Sequence, residues 1–340
     1  MRRDRKAFKM RHLRLQNMRV DFKLVLATHR RPRLAWGVLA RACARSLFVA
    51  RRGQATSWNV WLTPVVTDRT SASCWSENIM TRSAAFSFSG CGLLAGYHLG
   101  AWSAISQHGG HAFRRAPLIG CSGGALVAGT IASGVSTKFA AGAMQNIVDG
   151  VLQAGGIFRT DLLSLVRSAL NEVLPDDAHS RCSGRLMVCV TDASGLPWSL
   201  PEPVLHAEWR SRPALLDSLL ASSYIPLVTA RELVASDSAG PPAPRLLDGG
   251  LSGQNFPLHP TAHRTVRVSP FAGDLDICPT SQHGEPRRIL LPAGVRVDVS
   301  RANASAVWRA FAPSSCAGAV ESQQASGYED ACRWLQAAEG

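Results

Sequence analysis

The sequence has no uninterrupted apolar run of about 18 residues, the length that a membrane-spanning helix needs. Its longest candidate, Gly123 to Val135, is short and broken by Gly, Thr and Ser. Also missing are a Cys-x-x-Cys pair and any Cys/His cluster at zinc spacing, which argues against a structural metal and a thiol redox motif. The nine cysteines are an odd number and are scattered, and a chain of 340 residues does not need disulfide staples, so a reducing compartment is expected. The start, Met1-Arg2-Arg3-Asp4-Arg5-Lys6, is charged with no apolar core soon after it, unlike a secretory signal. Charged residues are few, at 18%, against 46% hydrophobic ones, which excludes wholesale disorder and leaves enough apolar surface for a large core.

Acidic residues are scarcest at the N-terminal end. Residues 1–79 hold 17 Lys/Arg against 4 Asp/Glu, whereas the remaining 20 basic and 20 acidic residues balance. The formal charge of +13 therefore belongs to this leader, and the body is neutral. Three readings of the leader stand: an Arg-rich organellar transit segment, a basic face for anionic membrane or nucleic acid, or an unstructured extension ahead of a start at Met80.

From Ala84 the chain alternates strand and helix patterns. Ala84–Phe88, Pro117–Gly120, Arg185–Val190, Arg245–Leu247 and Thr265–Ser269 read as strands. Helices are expected over Leu93–Gln107, with Leu94, Tyr97, Ala101 and Ala104 on one face, and over Ala125–Ala132, Lys138–Gln153, Asp161–Leu174 and Pro213–Ala221. Thr160 is the expected N-cap of the fourth. Alternation of this kind argues for an α/β domain with a parallel sheet.

Three motifs carry chemistry. Gly120-Cys121-Ser122-Gly123-Gly124 is a G-x-S-x-G between an apolar strand and a small-residue helix. A nucleophile elbow needs this spacing, because small flanking residues let a strained strand-to-helix turn close and let substrate approach the serine. Gly90-Cys91-Gly92 also lies between a strand and a helix. A dinucleotide cradle would need Gly at position 95 and an acid about 20 residues on, but Ala95 stands there and no Asp or Glu occurs between Glu77 and Asp149. Successive amides at a helix start suit an oxyanion hole instead. Leu247-Asp248-Gly249-Gly250 ends a strand on an acid and two glycines, and its carboxylate is a candidate partner for the serine. A Ser/Asp/His triad through Asp192, Asp237 or Asp248 with His259 or His263 is the competing arrangement. His98 and His108 read as ordinary helix residues, and His111, His179, His206 and His283 carry no signal.

These residues together resemble a known family. Ser87 to Gly100, Ile119 to Leu126, Leu247 to Ser252, Ala221 to Pro226, Val268 to Pro279 and Gly327 to Leu335 look like the patatin-like phospholipases, specifically the adiponutrin and adipose triglyceride lipase branch. The resemblance spans about residues 84–336 and implies one catalytic domain, placed here at 80–337. It implies a three-layer α/β/α fold with a mainly parallel central sheet, and a Ser-Asp dyad in place of a triad. Ser122 would be the nucleophile and Asp248 the general base, with Gly90, Cys91 and Gly92 as the oxyanion hole and Gly120, Gly124, Gly249 and Gly250 as motif glycines. Preorganised donors of this type contribute about 3–4 kcal/mol each to transition-state stabilisation. Two departures from the family pattern stand out: Ala95 replaces a glycine, with Gly96 one place later, and Cys121 and Gly123 flank the serine where alanines are usual.

The expected activity is lipid acyl hydrolysis, as a triacylglycerol lipase or phospholipase A. Acyl transfer through the same dyad and a catalytically weak lipid-surface regulator are the alternatives. No cofactor, metal or nucleic-acid partner is expected. The expected location is cytoplasmic and peripheral on lipid droplets or membranes, with organellar import through residues 1–79 as a further option.

Overall fold

The structure, a computed structural model, describes residues 84–195, 198–230, 245–280, 287–291, 294–313 and 318–339. The basic leader, Met80 and Asp237 lie outside the described residues.

Five short strands build on β1 (Ala84–Phe88), whose five residues are all buried. Such a strand needs neighbours on both sides and cover on both faces. It pairs in parallel with β2 (Leu118–Cys121) through Phe86↔Leu118 and with β6 (Arg264–Val268) through Phe86↔Val266. β2 pairs in parallel with β3 (Leu186–Asp192), and β4 (Glu202–His206) and β5 (Leu246–Asp248) both run antiparallel to β3. The sheet order is β4-β3-β2-β1-β6, with β5 also on β3. The result is an α/β architecture whose central sheet is mostly parallel and flanked by helices. A separate ribbon pairs β7 (Arg288–Leu290) with β8 (Arg296–Asp298).

The helices are α1 (Ala95–His108), α2 (Gly110–Arg114), α3 (Gly123–Ala132), α4 (Thr137–Gln153), α5 (Leu162–Val173), α6 (Ala178–Cys182), α7 (Arg212–Ser222), α8 (Arg301–Phe311) and α9 (Ala319–Glu339). α1 was expected to bury one face, but ten of its residues are buried. It lies between the sheet and α9. Two glycines permit this: a Cβ on Gly100 would stand 1.9 Å from the Gln324 carbonyl oxygen, and one on Gly327 would stand 2.0 Å from that of Tyr97. The Tyr97 hydroxyl then donates to buried Asp330 at 2.5 Å, and Arg333 donates to the same carboxylate at 2.6 Å. Below α1, Phe86 meets Trp102, Phe113 and Trp334 edge-on, which forms the aromatic centre of the core.

Thr160 does not cap α5. Asp161 does, accepting from the Ser164 amide at 3.3 Å, while the Thr160 hydroxyl donates to the Gly156 carbonyl at 3.0 Å. A carboxylate is the better partner for the positive helix end, which explains the one-residue shift. Gly96, one place after Ala95, faces α9: a Cβ there would lie 2.8 Å from the Gln323 side-chain oxygen.

Candidate active site

The strand β3 acts as a template for the site. Along one edge of it, β2 runs up and ends with Cys121 opposite Cys189, while β5 runs down and ends with Asp248 opposite Val190. Two strands from distant parts of the chain thus meet end to end on adjacent β3 residues. The residues at this junction are Ser122 and Asp248.

Ser122 leaves β2 at φ 54°, a left-handed conformation that a non-glycine residue adopts only when its surroundings hold it there. It occupies the N-cap position of α3, yet its side chain makes no capping bond. An ordinary N-cap serine turns its oxygen toward the helix amides. Here the strained turn points the hydroxyl elsewhere, within hydrogen-bonding approach of the Asp248 carboxylate, whose Oδ2 completes no well-aligned bond of its own. Close packing enforces the turn, because a Cβ on Gly124 would lie 2.3 Å from the Phe88 carbonyl oxygen.

Asp248 is only 4% exposed and is fixed from three sides. Its Oδ1 accepts from the Gly250 amide at 2.8 Å, its amide donates to the Tyr224 carbonyl at 2.8 Å, and its carbonyl accepts from the Thr191 hydroxyl at 2.8 Å. Burial raises its carboxyl to about 6, a rise only partly offset by the Ser122 hydroxyl and the Gly250 amide. Three thiols surround it: Cys91, Cys121 and Cys189. Burial first and the Asp248 charge second push all three upward, Cys189 to about 12, so they remain neutral. Gly249 packs against this wall, where an added Cβ would be 3.1 Å from the Cys121 sulfur.

The loop Gly90-Cys91-Gly92 runs beside Ser122: a Cβ built on Gly90 would lie 3.4 Å from the serine's own Cβ, and one on Gly123 would lie 3.3 Å from the Gly92 nitrogen. The three amides differ. Gly90 donates to the Asn255 backbone carbonyl at 3.2 Å, whereas among the described residues no acceptor meets the amides of Cys91 and Gly92. Gly92 must be glycine, because it has φ 53° and a Cβ there would fall 2.4 Å from the Ala310 carbonyl oxygen.

Neither histidine of the competing triad is paired with a carboxylate among the described residues. His259 uses Nδ1 to accept the Ala262 amide at 3.1 Å within its own turn, His263 is exposed, and the Asp192 carboxylate caps Ser194 at 2.7 Å. Three residues beyond the motifs also hold the site. His98 is fully buried, pushed down to about 4 by desolvation and therefore neutral, and its Nε2 lies 3.0 Å from the Ser89 carbonyl at the root of the glycine loop. Nε2 is accordingly the protonated nitrogen, since a carbonyl can only accept. Asn255 sets its side-chain oxygen 3.9 Å from the Cys121 thiol. Ser222 accepts the Ser122 amide. No sequence signal marked His98 or Asn255, because their partners are backbone carbonyls and a thiol brought close only by folding.

Among the described residues, no group of three or more His, Cys, Asp or Glu side chains forms a metal site, and no helix is long and apolar enough to cross a membrane.

Comparison with known proteins bears on the whole arrangement. The family model described as "Patatin-like phospholipase" matches residues 86–262. Human "1-acylglycerol-3-phosphate O-acyltransferase PNPLA3" is 34% identical over 197 residues, covering 57% of this chain and 38% of the relative. Rat "Patatin-like phospholipase domain-containing protein 2" is 34% identical over 200 residues, covering 57% and 39%. Human "Patatin-like phospholipase domain-containing protein 4" is 30% identical over 259 residues, covering 73% of this chain and 95% of the relative. The chain thus spans about two fifths of the first two relatives and nearly all of the third. With its mostly parallel sheet and more than half its length matched by the family model, the chain belongs to the patatin-like phospholipase family.

Proposed function

We propose that the protein is a serine acyl hydrolase of lipid esters working through Ser122 and Asp248. The observation that carries this reading is the junction on β3, where a strained, uncapped serine approaches a buried carboxylate raised to about 6. Such a carboxylate is largely ionised at neutral pH yet more basic than an exposed one, which suits a general base. In the first half-reaction Asp248 takes the Ser122 proton as Oγ attacks the ester carbonyl carbon. The oxyanion is met by the amides of Cys91 and Gly92 at the positive end of α3. Collapse breaks the ester C–O bond, Asp248 returns the proton to the leaving alcohol, and an acyl-serine remains. In the second, Asp248 deprotonates water, which attacks the acyl-serine. Fatty acid leaves and Ser122 regains a proton.

A second acceptor has specific support: the relative named an acylglycerol-phosphate acyltransferase is 34% identical to this chain. A lysolipid hydroxyl replacing water in the second half-reaction gives acyl transfer with the same residues. A fluorophosphonate probe is expected to label the wild-type protein at Ser122 and to leave Ser122→Ala unlabelled. Equal labelling of both proteins, or labelling of neither, rejects the nucleophile and leaves the regulator as the standing alternative. Product analysis with lysophosphatidic acid present then separates transfer, seen as phosphatidic acid, from hydrolysis, seen as free fatty acid.

The surface near the site supports approach to a lipid–water boundary. β3 ends at Asp192, three residues past Cys189, which pairs with Cys121, and the segment joining it to β4 carries Trp198, 85% exposed, and Leu200, 73% exposed. Leu251, three residues after Asp248, is also exposed. Exposed apolar side chains near a site for lipid esters serve as interfacial anchors. Replacing Trp198 and Leu200 by Ser is expected to cut flotation with phosphatidylcholine vesicles several-fold while hydrolysis of a short water-soluble ester stays within twofold of wild type. Unchanged flotation removes this part of the proposal.

A further inference from the structure

Two hydrogen bonds leave the backbone of the nucleophile and of its base and end on a single turn. The Ser122 amide donates to the Ser222 hydroxyl oxygen at 2.9 Å, and the Asp248 amide donates to the Tyr224 carbonyl at 2.8 Å. Ser222 is the last residue of α7 and Tyr224 lies two residues beyond it. The Ser222 side chain is fully buried, and its proton is already committed to the Cys189 carbonyl on β3 at 2.6 Å. The hydroxyl is therefore held in one orientation, with its lone pairs presented to the Ser122 amide.

This arrangement meets a specific need of the elbow. The first amides of a helix have no intrahelical acceptor, and a serine at φ 54° relaxes toward an ordinary conformation unless a partner opposes it. Ser222 supplies the acceptor and anchors it to Cys189, the β3 residue paired with Cys121. The Tyr224 carbonyl supplies the acceptor for Asp248, which pairs with the next β3 residue, Val190.

We infer that the turn Ser222–Tyr224 is a clamp that sets the separation of nucleophile and base, with Ser222 as the positioning residue for Ser122. This inference rests on the dyad reading above. Removing the hydroxyl leaves the Ser122 amide and the Cys189 carbonyl without partners in a dry pocket. The elbow then relaxes and the Ser122 hydroxyl swings away from Asp248. Chemistry slows while substrate binding, which does not touch Ser222, persists.

The test uses full-length Ser222→Ala and Ser222→Cys, the second nearly isosteric and a weak acceptor, so that a folded variant is in hand if the first unfolds. Active sites are titrated with a fluorophosphonate, and hydrolysis of a soluble ester is followed from pH 4.5 to 9. The expected result is a tenfold or greater loss of kcat per titrated site, KM within twofold of wild type, and an acid limb displaced to higher pH. The limb moves because the Ser122 hydroxyl helps to hold the Asp248 carboxylate in its charged form. The titratable groups facing Asp248 are the thiols of Cys91, Cys121 and Cys189, which stay neutral over this range and leave the limb to the carboxylate. A merely structural role would lower the titratable fraction and leave kcat per site and the limb unchanged, and that result overturns the clamp. If wild type itself is not labelled at Ser122, the dyad fails and the clamp fails with it.

Discussion

Asp248→Asn is expected to lower ester hydrolysis by at least about a thousandfold, the scale seen when a member of a nucleophile–base unit is removed, and at the same time to stabilise the protein at pH 8. The amide keeps the acceptor for the Gly250 amide and the shape of the side chain, so the turn itself is preserved. What it removes is a buried negative charge. The Asp248 carboxyl is raised from 3.8 to about 6 in the folded protein, so the folded state holds that proton more tightly than the unfolded chain does. Ionisation therefore destabilises the fold progressively as pH rises from about 4 to about 6, and the full penalty persists above. At about 1.4 kcal/mol for each unit of difference, with some relief from relaxation, the variant gains about 1–3 kcal/mol at pH 8. The gain fades toward pH 4, where the native carboxyl is neutral as well. Thermal unfolding at pH 8 and pH 4.5, beside the ester assay, checks both halves. Full activity in the variant rejects Asp248 as the base, and a lower melting temperature at pH 8 rejects the account of its burial. The same carboxyl is expected to give wild-type ester hydrolysis an acid limb near pH 6 in a pH–rate profile.

Gly327→Val is the second large effect, expected to destabilise the fold by about 3 kcal/mol or more. Even a Cβ at this position meets the Tyr97 carbonyl at 2.0 Å and the Ala101 nitrogen at 3.0 Å, both main-chain atoms of α1 that cannot swing aside. α9 must move away, which breaks the Tyr97–Asp330 bond and loosens Trp334 from Phe86. Gly142→Ala is the informative control. It lies on the exposed side of α4 with nothing within 4 Å, so helix propensity alone acts and the variant gains up to about 1 kcal/mol. Chemical denaturation of the two variants is expected to move the midpoints in opposite directions, and equal stability of Gly327→Val and wild type would reject the close packing of α1 on α9.

The strands β1, β2 and β3 were legible because buried parallel strands are short continuous apolar runs, β6 because Val266 and Val268 alternate with polar residues, and α4 and α5 because their apolar residues repeat at helical spacing. The extent of α1 burial was not legible, since periodicity reports how one face differs from another and α1 is covered on nearly all sides. The ribbon β7–β8 escaped for the opposite reason: β7 is exposed throughout and carries no alternation. At the site, the glycine-flanked serine and the Asp-Gly-Gly stood out because strained turns and close approaches restrict residue type locally. Gly90 shows the limit of that logic. Its place beside Ser122 is as the motif suggests, but its amide is engaged by Asn255, a partner 165 positions along the chain that no local pattern reports.

By itself, then, the sequence marked which residues are candidates for chemistry, because an elbow, an amide loop and a strand-end carboxylate each impose a local steric demand that only certain side chains satisfy. Tertiary structure alone decided that β2 and β5 meet end to end on β3, that burial raises the Asp248 carboxyl, and that the amides of Ser122 and Asp248 find their acceptors on Ser222 and Tyr224. Distance, desolvation and hydrogen-bond direction are properties of residues brought close from far along the chain, and they come into being only when the chain folds.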